Sequence, residues 1–167
     1  MSAPDLAIVP LNDTHERQAF TCGVESLDAY LRHQAGQDAR RLANGVFILV
    51  EPAAPRTVLG YYTLAATALP PGDVPESAKK HIPRYPLISA TLIGRLAVAA
   101  SRQGQSLGPI LLADALRRAL ASAATVGSSM VVVDALDEGA AAFYSAHGFI
   151  RLPESLRLVL PMRALKG

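Results

Sequence analysis

Apolar positions along the chain switch between a two-residue and a three-to-four-residue period, and each switch marks an element. Residues 8–11 form a short apolar run that predicts a first strand. Leu27, Tyr30, Leu31 and Ala35 then recur at helical spacing, which predicts a helix over residues 26–42 with its cap near Ser26. Residues 46–50 and 57–66 are continuous β-forming runs joined by a loop holding Pro52 and Pro55, so they are expected to pair antiparallel.

Between residues 69 and 86 the pattern dissolves. Pro70, Pro71, Pro75, Pro83 and Pro86 deny this stretch a long regular element, and it reads as a surface excursion with one short helix over residues 76–81. Regularity returns with a strand over 89–99, a small polar turn, and a helix over 107–124 whose apolar residues fall at 107, 111, 112, 115, 116, 119 and 120. A strand over 130–134, a short helix over 138–147 closed by Gly148, and a last strand over 156–160 complete the chain. The order is mixed α/β, with a β-turn-α-β-α unit at its centre.

Length and composition narrow this picture. With 167 residues, half of them apolar, the chain suits a single domain spanning 1–167. A net charge of +2 and a pI near 8.9 permit an anionic partner without requiring one. The lone Cys22 excludes an intramolecular disulfide, and four scattered histidines provide no zinc-type cluster, so no metal is expected. No apolar run approaches the ~20 residues needed to span a bilayer, which predicts a cytoplasmic protein without membrane contact. Trp is absent and aromatic residues are only 5% of the chain, which argues against a binder that stacks single-stranded bases on aromatic platforms.

The turn between the predicted strand and long helix carries the first candidate chemistry. A strand feeding a helix through a tight turn leaves the first helical N–H groups unpaired and points the positive end of the helix dipole outward. Phosphates need close backbone approach, and Gln103, Gly104, Gln105, Ser106, Leu107 and Gly108 put small residues at alternate positions there. Glycines at such a turn also serve geometry alone. The turn is neither a P-loop nor a Gly-x-Gly-x-x-Gly fingerprint.

The run Gly94-Arg95-Leu96-Ala97-Val98, this turn, and Leu111-Leu112-Ala113-Asp114-Ala115-Leu116 together resemble the acetyl-CoA motif of the GNAT N-acetyltransferase superfamily. Four further segments make the chain similar to the GNAT toxins of bacterial toxin–antitoxin modules. They are Phe20-Thr21-Cys22-Gly23 with Leu27-Asp28-Ala29-Tyr30-Leu31, Gly60-Tyr61-Tyr62-Thr63-Leu64, Val132-Val133-Asp134-Ala135, and Ala142-Phe143-Tyr144 with Gly148-Phe149. The superfamily pattern reads Arg/Gln-x-x-Gly-x-Gly/Ala, and Ser106 stands where its first glycine is expected. A Cβ at a point of close approach restricts the backbone, so weaker cofactor binding is expected there.

The resemblance implies a central mixed, twisted sheet of about six to seven strands, with splayed parallel central strands and about four flanking helices. It implies acetyl-CoA as cosubstrate, bound by residues 103–108, by the strand residues Leu96, Ala97 and Val98, and beside Phe143. Tyr144 then matches the family's general acid, although its spacing alone would suit a core aromatic. The implied reaction acetylates the α-amino group of aminoacyl-tRNA and so blocks translation. An α-amino group titrates at about 7.7–8.0, so a useful fraction is neutral near pH 7 without a strong enzyme base. Lys79, Lys80, Arg84 and Arg95, with Arg40 and Arg41 as a second group, are the candidate tRNA contacts. A homodimer, a ribbon-helix-helix antitoxin, and repression of operator DNA through the antitoxin complex are further implications. Two other readings stay open: a GNAT acting on a protein N-terminus, polyamine or small-molecule amine, and a non-catalytic regulator retaining the fold, which Ser106 keeps in play.

Overall fold

A computed structural model describes residues 5–166. Its strands are β1 (Ala7–Pro10), β2 (Gly45–Val50), β3 (Gly60–Leu69), β4 (Ile88–Val98), β5 (Met130–Asp134), β6 (Ile150–Arg151) and β7 (Arg157–Pro161). Its α-helices are α1 (Glu25–His33), α2 (Ala35–Arg40), α3 (Leu107–Val126) and α4 (Glu138–Ala146). The strands are ordered β1-β2-β3-β4-β5-β7-β6 in a mixed sheet. This is the architecture that the resemblance implies. None of the described helices is long and apolar enough to cross a membrane.

The backbone divides into two compact units. The first runs up to Leu64 and takes in Arg95–Ala115. Its core gathers Leu31, Ala35, Val46, Ile48 and Tyr61, with Ala97 and Ala99 from the end of β4. The expected antiparallel pair is present, with Val46 opposite Thr63 and Ile48 opposite Tyr61. The second unit comprises Ala65–Gly94 and Leu116 onward. Its core is built from Leu69, Val74, Ile88, Met130, Val132 and Val159. There β4 and β5 run parallel, as expected, with Ala90 opposite Met130 and Ile93 opposite Val133, while β4 continues to Val98.

The structure corrects the expected helix over residues 26–42 at both ends and in the middle. It begins at Glu25, and Val24 rather than Ser26 occupies the cap position, with no side-chain capping bond. The buried Asp28 carboxylate instead binds backward, accepting from the Cys22 N–H at 2.9 Å and the Thr21 hydroxyl at 3.1 Å. Regular helix stops at Gln34, whose φ of −121° separates α1 from α2. Tyr30 donates to the Asp38 carboxylate at 2.8 Å, and Gln34 and Asn44 donate to the same group at 2.9 and 3.0 Å. In a straight helix two residues eight apart lie ~12 Å apart along the axis, so the bend at Gln34 accommodates the Tyr30–Asp38 bond. Helix α2 then ends at Arg40, and Leu42 takes a φ of +59°.

The later elements fall close to their expected limits. Helix α3 is followed by Gly127 at φ +74°, whose N–H bonds the Ala123 carbonyl, and α4 is followed by Gly148 at φ +94°. Both are glycine stops in the left-handed region. Residues 76–81 form a short 3-10 helix inside the proline-rich excursion. Strand β6 has no counterpart in the sequence reading, because two residues carry no periodicity.

Candidate active site

In the first unit, Ala100–Arg102 form a 3-10 turn and α3 starts at Leu107, leaving residues 103–106 as the connecting loop. Gly104 has φ +81° and Ser106 φ +62°. Turns with left-handed residues ahead of a helix are settings in which backbone N–H groups hold anions. Ser106 therefore adopts the glycine-like backbone that its position demands, despite carrying a Cβ. Gln103, Gly104, Gln105 and Ser106 are exposed, whereas Leu107 is buried and anchors the start of α3. Gly108 lies in the first turn of that twenty-residue helix.

The loop is held from behind by side chains. Gln103 turns its amide inward, donating to the Cys22 carbonyl at 2.8 Å and the Val98 carbonyl at 3.2 Å. Arg102 forms an ion pair with Glu51 and donates to the Gln105 side chain at 3.4 Å. The Ala100 N–H bonds the Thr21 carbonyl at 2.7 Å, so the Thr21–Cys22 segment fastened by Asp28 also braces the loop. Sequence reasoning missed Asp28, Glu51 and Arg102 in this role. Their partners lie 7, 51 and 51 residues away along the chain, and no local spacing marks such pairs.

Leu96, Ala97 and Val98 occupy the last residues of β4, Ala97 buried and its neighbours half-buried. Gly60 admits them: a Cβ at Gly60 would stand 2.8 Å from the Ala97 carbonyl oxygen and 2.9 Å from a Leu111 methyl. The Ala99 N–H bonds the Leu59 carbonyl at 2.8 Å just beyond. Arg95 stacks its guanidinium 3.5 Å from the Tyr30 ring centroid, within the first unit. Asp114 of α3 accepts the Tyr62 hydroxyl at 2.6 Å. The buried Cys22 thiol is pushed up to about 11, by burial first and by its hydrogen bond to Asp28 second, so it stays protonated and inert at neutral pH.

Tyr144 belongs to the second unit, on α4. It is buried, with Phe143 and Phe149 packed edge-on at ring separations of 5.2 and 5.5 Å. Its carbonyl accepts from the Phe149 N–H at 3.2 Å in the turn that closes the helix. The hydroxyl makes no hydrogen bond to another described residue, and burial pushes its pKa up to about 12. Asp137 caps α4 by accepting the Ala140 N–H at 2.8 Å, and Glu138 takes both terminal nitrogens of Arg151 at 2.6 and 2.9 Å. The two carboxylates thus have structural work, as their place at a helix start suggests.

The candidate tRNA contacts divide between the units. Arg40 and Arg41 are exposed at the end of α2, and Arg95 is engaged with Tyr30 in the same unit. Lys79, Lys80 and Arg84 are exposed in the second unit's proline-rich segment, with Lys79 paired to Glu76 at 2.7 Å.

No protein-family model matches the chain. The chain is 32% identical over 161 residues to a tRNA-acetylating toxin of Mycobacterium tuberculosis, covering 94% of both proteins. It matches the structure of AtaT complexed with acetyl-methionyl-tRNAfMet at a TM-score of 0.88 and 33% identity, covering 97% of this chain and 98% of that one. A tyrosine-to-phenylalanine mutant of AtaT, bound to the C-terminus of the antitoxin AtaR and acetyl-CoA, matches at a TM-score of 0.82 and 30% identity, covering 97% and 96%. Likeness of this extent in both sequence and fold has one meaning: the chain belongs to the GNAT-type tRNA-acetylating toxins.

Proposed function

We propose that this chain transfers acetyl from acetyl-CoA to the α-amino group of aminoacyl-tRNA, with residues 103–108 holding the cofactor's pyrophosphate and Tyr144 serving the departing sulfur. The observation that carries the reading is the left-handed backbone at both Gly104 and Ser106 ahead of a twenty-residue helix. Family membership supplies the substrate class, and the AtaT complexes with acetyl-methionyl-tRNAfMet and with acetyl-CoA support it.

Acetyl-CoA supplies an activated acyl group and a thiol leaving group. The loop's exposed N–H groups and the positive end of α3 stabilise two phosphate charges without any lysine. Leu96, Ala97 and Val98 offer strand N–H and C=O groups to the cofactor's amides, and Phe143 supplies apolar surface beside it. Gln103 positions the loop through the Cys22 and Val98 carbonyls.

Tyr144 keeps its proton throughout the neutral range, because its pKa stands at about 12. An ordinary thiol titrates near 8.5, so complete transfer to a free thiolate would be uphill by ~5 kcal/mol at 1.36 kcal/mol per pKa unit. Tyr144 therefore acts first as a hydrogen-bond donor to developing negative charge on sulfur. Transfer completes where desolvation also raises the basicity of that sulfur. Both a tyrosine-to-phenylalanine mutant of AtaT and the AtaTR complex have been seen with acetyl-CoA.

Lys79, Lys80, Arg84, Arg95, Arg40 and Arg41 supply positive charge for the acceptor stem. A homodimer, an antitoxin of ribbon-helix-helix class, repression through the toxin–antitoxin complex, action in the cytoplasm and the integrity of 1–167 as one GNAT domain belong to the same proposal. The test is transfer of labelled acetyl to a mixed pool of charged tRNA. Label on the aminoacyl group, lost in Tyr144→Phe while acetyl-CoA still binds, supports the assignment; a wild-type protein that labels no charged tRNA refutes it.

A further inference from the structure

The second unit carries a face that the transfer step leaves unexplained. A cleft of about 720 Å3 is lined by Val74, Ile82, Tyr85 and Ile88, with Lys80 and Arg84 also on its wall. Its size is that of a small-molecule site. Tyr85 is 65% exposed, an unusual setting for a large ring, and Pro86 confines its backbone to extended conformations, so the ring is presented at little entropic cost.

Two further grooves border the short 3-10 helix Glu76–His81: both are lined by His81 and Arg163, and Lys166 joins one of them. No aspartate or glutamate lines the cleft or either groove. Nearby carboxylates are already paired: Glu76 with Lys79, which also lines the cleft, and Asp73 with Arg157. Lys80, Arg84, Arg163 and Lys166 are exposed, with no carboxylate partner among the described residues. An exposed aromatic in an apolar cleft, flanked by unneutralised cations, matches the two surfaces of a single-stranded nucleic acid: a base face and a phosphate chain.

We propose that this face binds an unpaired segment of the tRNA, with one base in the cleft against Tyr85. Its neighbouring phosphates then lie along Lys80 and Arg84 on one side and Arg163 and Lys166 on the other. The inference rests on the tRNA-acetylating reading and adds to it Tyr85, Arg163 and Lys166. One ring provides one stacking position, in a chain whose low aromatic content argued against a base-stacking surface.

The experiment is fluorescence-anisotropy titration of uncharged tRNA into the full-length protein between 50 and 200 mM salt, with acetyl-CoA affinity and circular dichroism checking each variant's fold. Tyr85→Ala is expected to weaken binding roughly 5- to 160-fold, the effect of one stacked base, with an unchanged salt slope and with Tyr85→Phe restoring affinity. The double variant Arg163→Gln with Lys166→Gln is expected to reduce the slope of log K against log salt by about 1.4–1.8, the loss of two phosphate contacts. Wild-type affinity and slope in these folded variants overturn the proposal. So does a Tyr85→Ala protein that loses affinity for its antitoxin and not for tRNA, which makes the cleft a peptide site. A wild-type protein that neither binds nor acetylates tRNA refutes the functional reading itself; one that acetylates it while the variants bind normally refutes this inference alone.

Discussion

Replacing Ser106 with glycine should stabilise the protein and leave acetyl-CoA binding at least as tight. Ser106 holds φ +62° on an exposed loop, a conformation that costs an L-residue about 1–2 kcal/mol. Glycine removes that cost but loses about 0.4–1 kcal/mol to the greater freedom of the unfolded chain. Taken from the middle of each range, the net gain is about 0.5–1 kcal/mol. For a chain of 167 residues, each kcal/mol moves Tm by about 2–4 °C, so Ser106→Gly should raise it by about 1–4 °C. Ser106→Ala keeps the strained φ and should melt within about 0.5 kcal/mol of wild type. Ser106→Val places a β-branched residue where it is an outlier, and should both lower Tm and weaken acetyl-CoA binding. Thermal melts followed by circular dichroism, with calorimetric titration of acetyl-CoA, measure both effects. A glycine variant that melts lower than wild type, or a valine variant that binds acetyl-CoA normally, would refute the reasoning.

Tyr144→Phe should reduce acetyl transfer by about 10²–10⁴ in single-turnover assays while acetyl-CoA affinity holds. In wild type the rate should climb with pH through the acceptor amine's titration near 7.7–8.0 and then stay level to pH 10, because Tyr144 keeps its proton to about 12. A fall between pH 8 and 10 would remove it as the proton-holding group. Gly60→Ala drives a methyl to within 2.8 Å of the Ala97 carbonyl oxygen, and should cost about 1–3 kcal/mol in a denaturant titration while weakening acetyl-CoA binding. Arg157→Ala removes a side chain that grips Asp134 at 2.8 and 3.0 Å and Asp73 at 3.2 Å; its partial exposure limits the expected loss to ~1 kcal/mol, readable as a lower urea midpoint. Cys22 and Tyr144 both have folded pKa values raised by burial, to about 11 and about 12. Their contribution to stability is intact below the unfolded thiol and phenol values and disappears as pH rises through the folded ones, so Tm should fall progressively above about pH 9. His15 acts in the opposite sense: burial lowers its pKa, and its stabilising contribution is lost as pH falls below the ordinary imidazole value.

Periodicity in the sequence located most of the strands and the long helix, because a half-buried strand or amphipathic helix writes its buried face into local spacing. Gly148 marked the end of α4 for an equally local reason: the stop needs a φ that other residues rarely take. The short-range pattern at residues 103–108 likewise disclosed a strand-turn-helix suited to phosphate, and the family resemblance gave that pattern a cofactor and Tyr144 a role.

What local spacing could not decide was the outcome of competition between distant partners. Ser26 has the chemistry of a helix cap, yet Asp28 is drawn to Thr21 and Cys22 and the helix starts at Glu25 without a side-chain cap. The Asp38 carboxylate gathers Tyr30, Gln34 and Asn44, and one expected helix becomes two. Arg95 reads as a candidate tRNA contact in sequence, and only the fold stacks its guanidinium on Tyr30. Most of all, the sequence determined that position 106 carries a serine where a glycine was wanted, while only the folded chain decided its backbone. The Gln103, Arg102 and Ala100 bonds to Cys22, Glu51 and Thr21 hold the loop's base, and the start of α3 fixes its other end. A loop fixed at both ends leaves Ser106 in the left-handed region, because contacts supplied by the rest of the unit offset a local cost of about 1–2 kcal/mol.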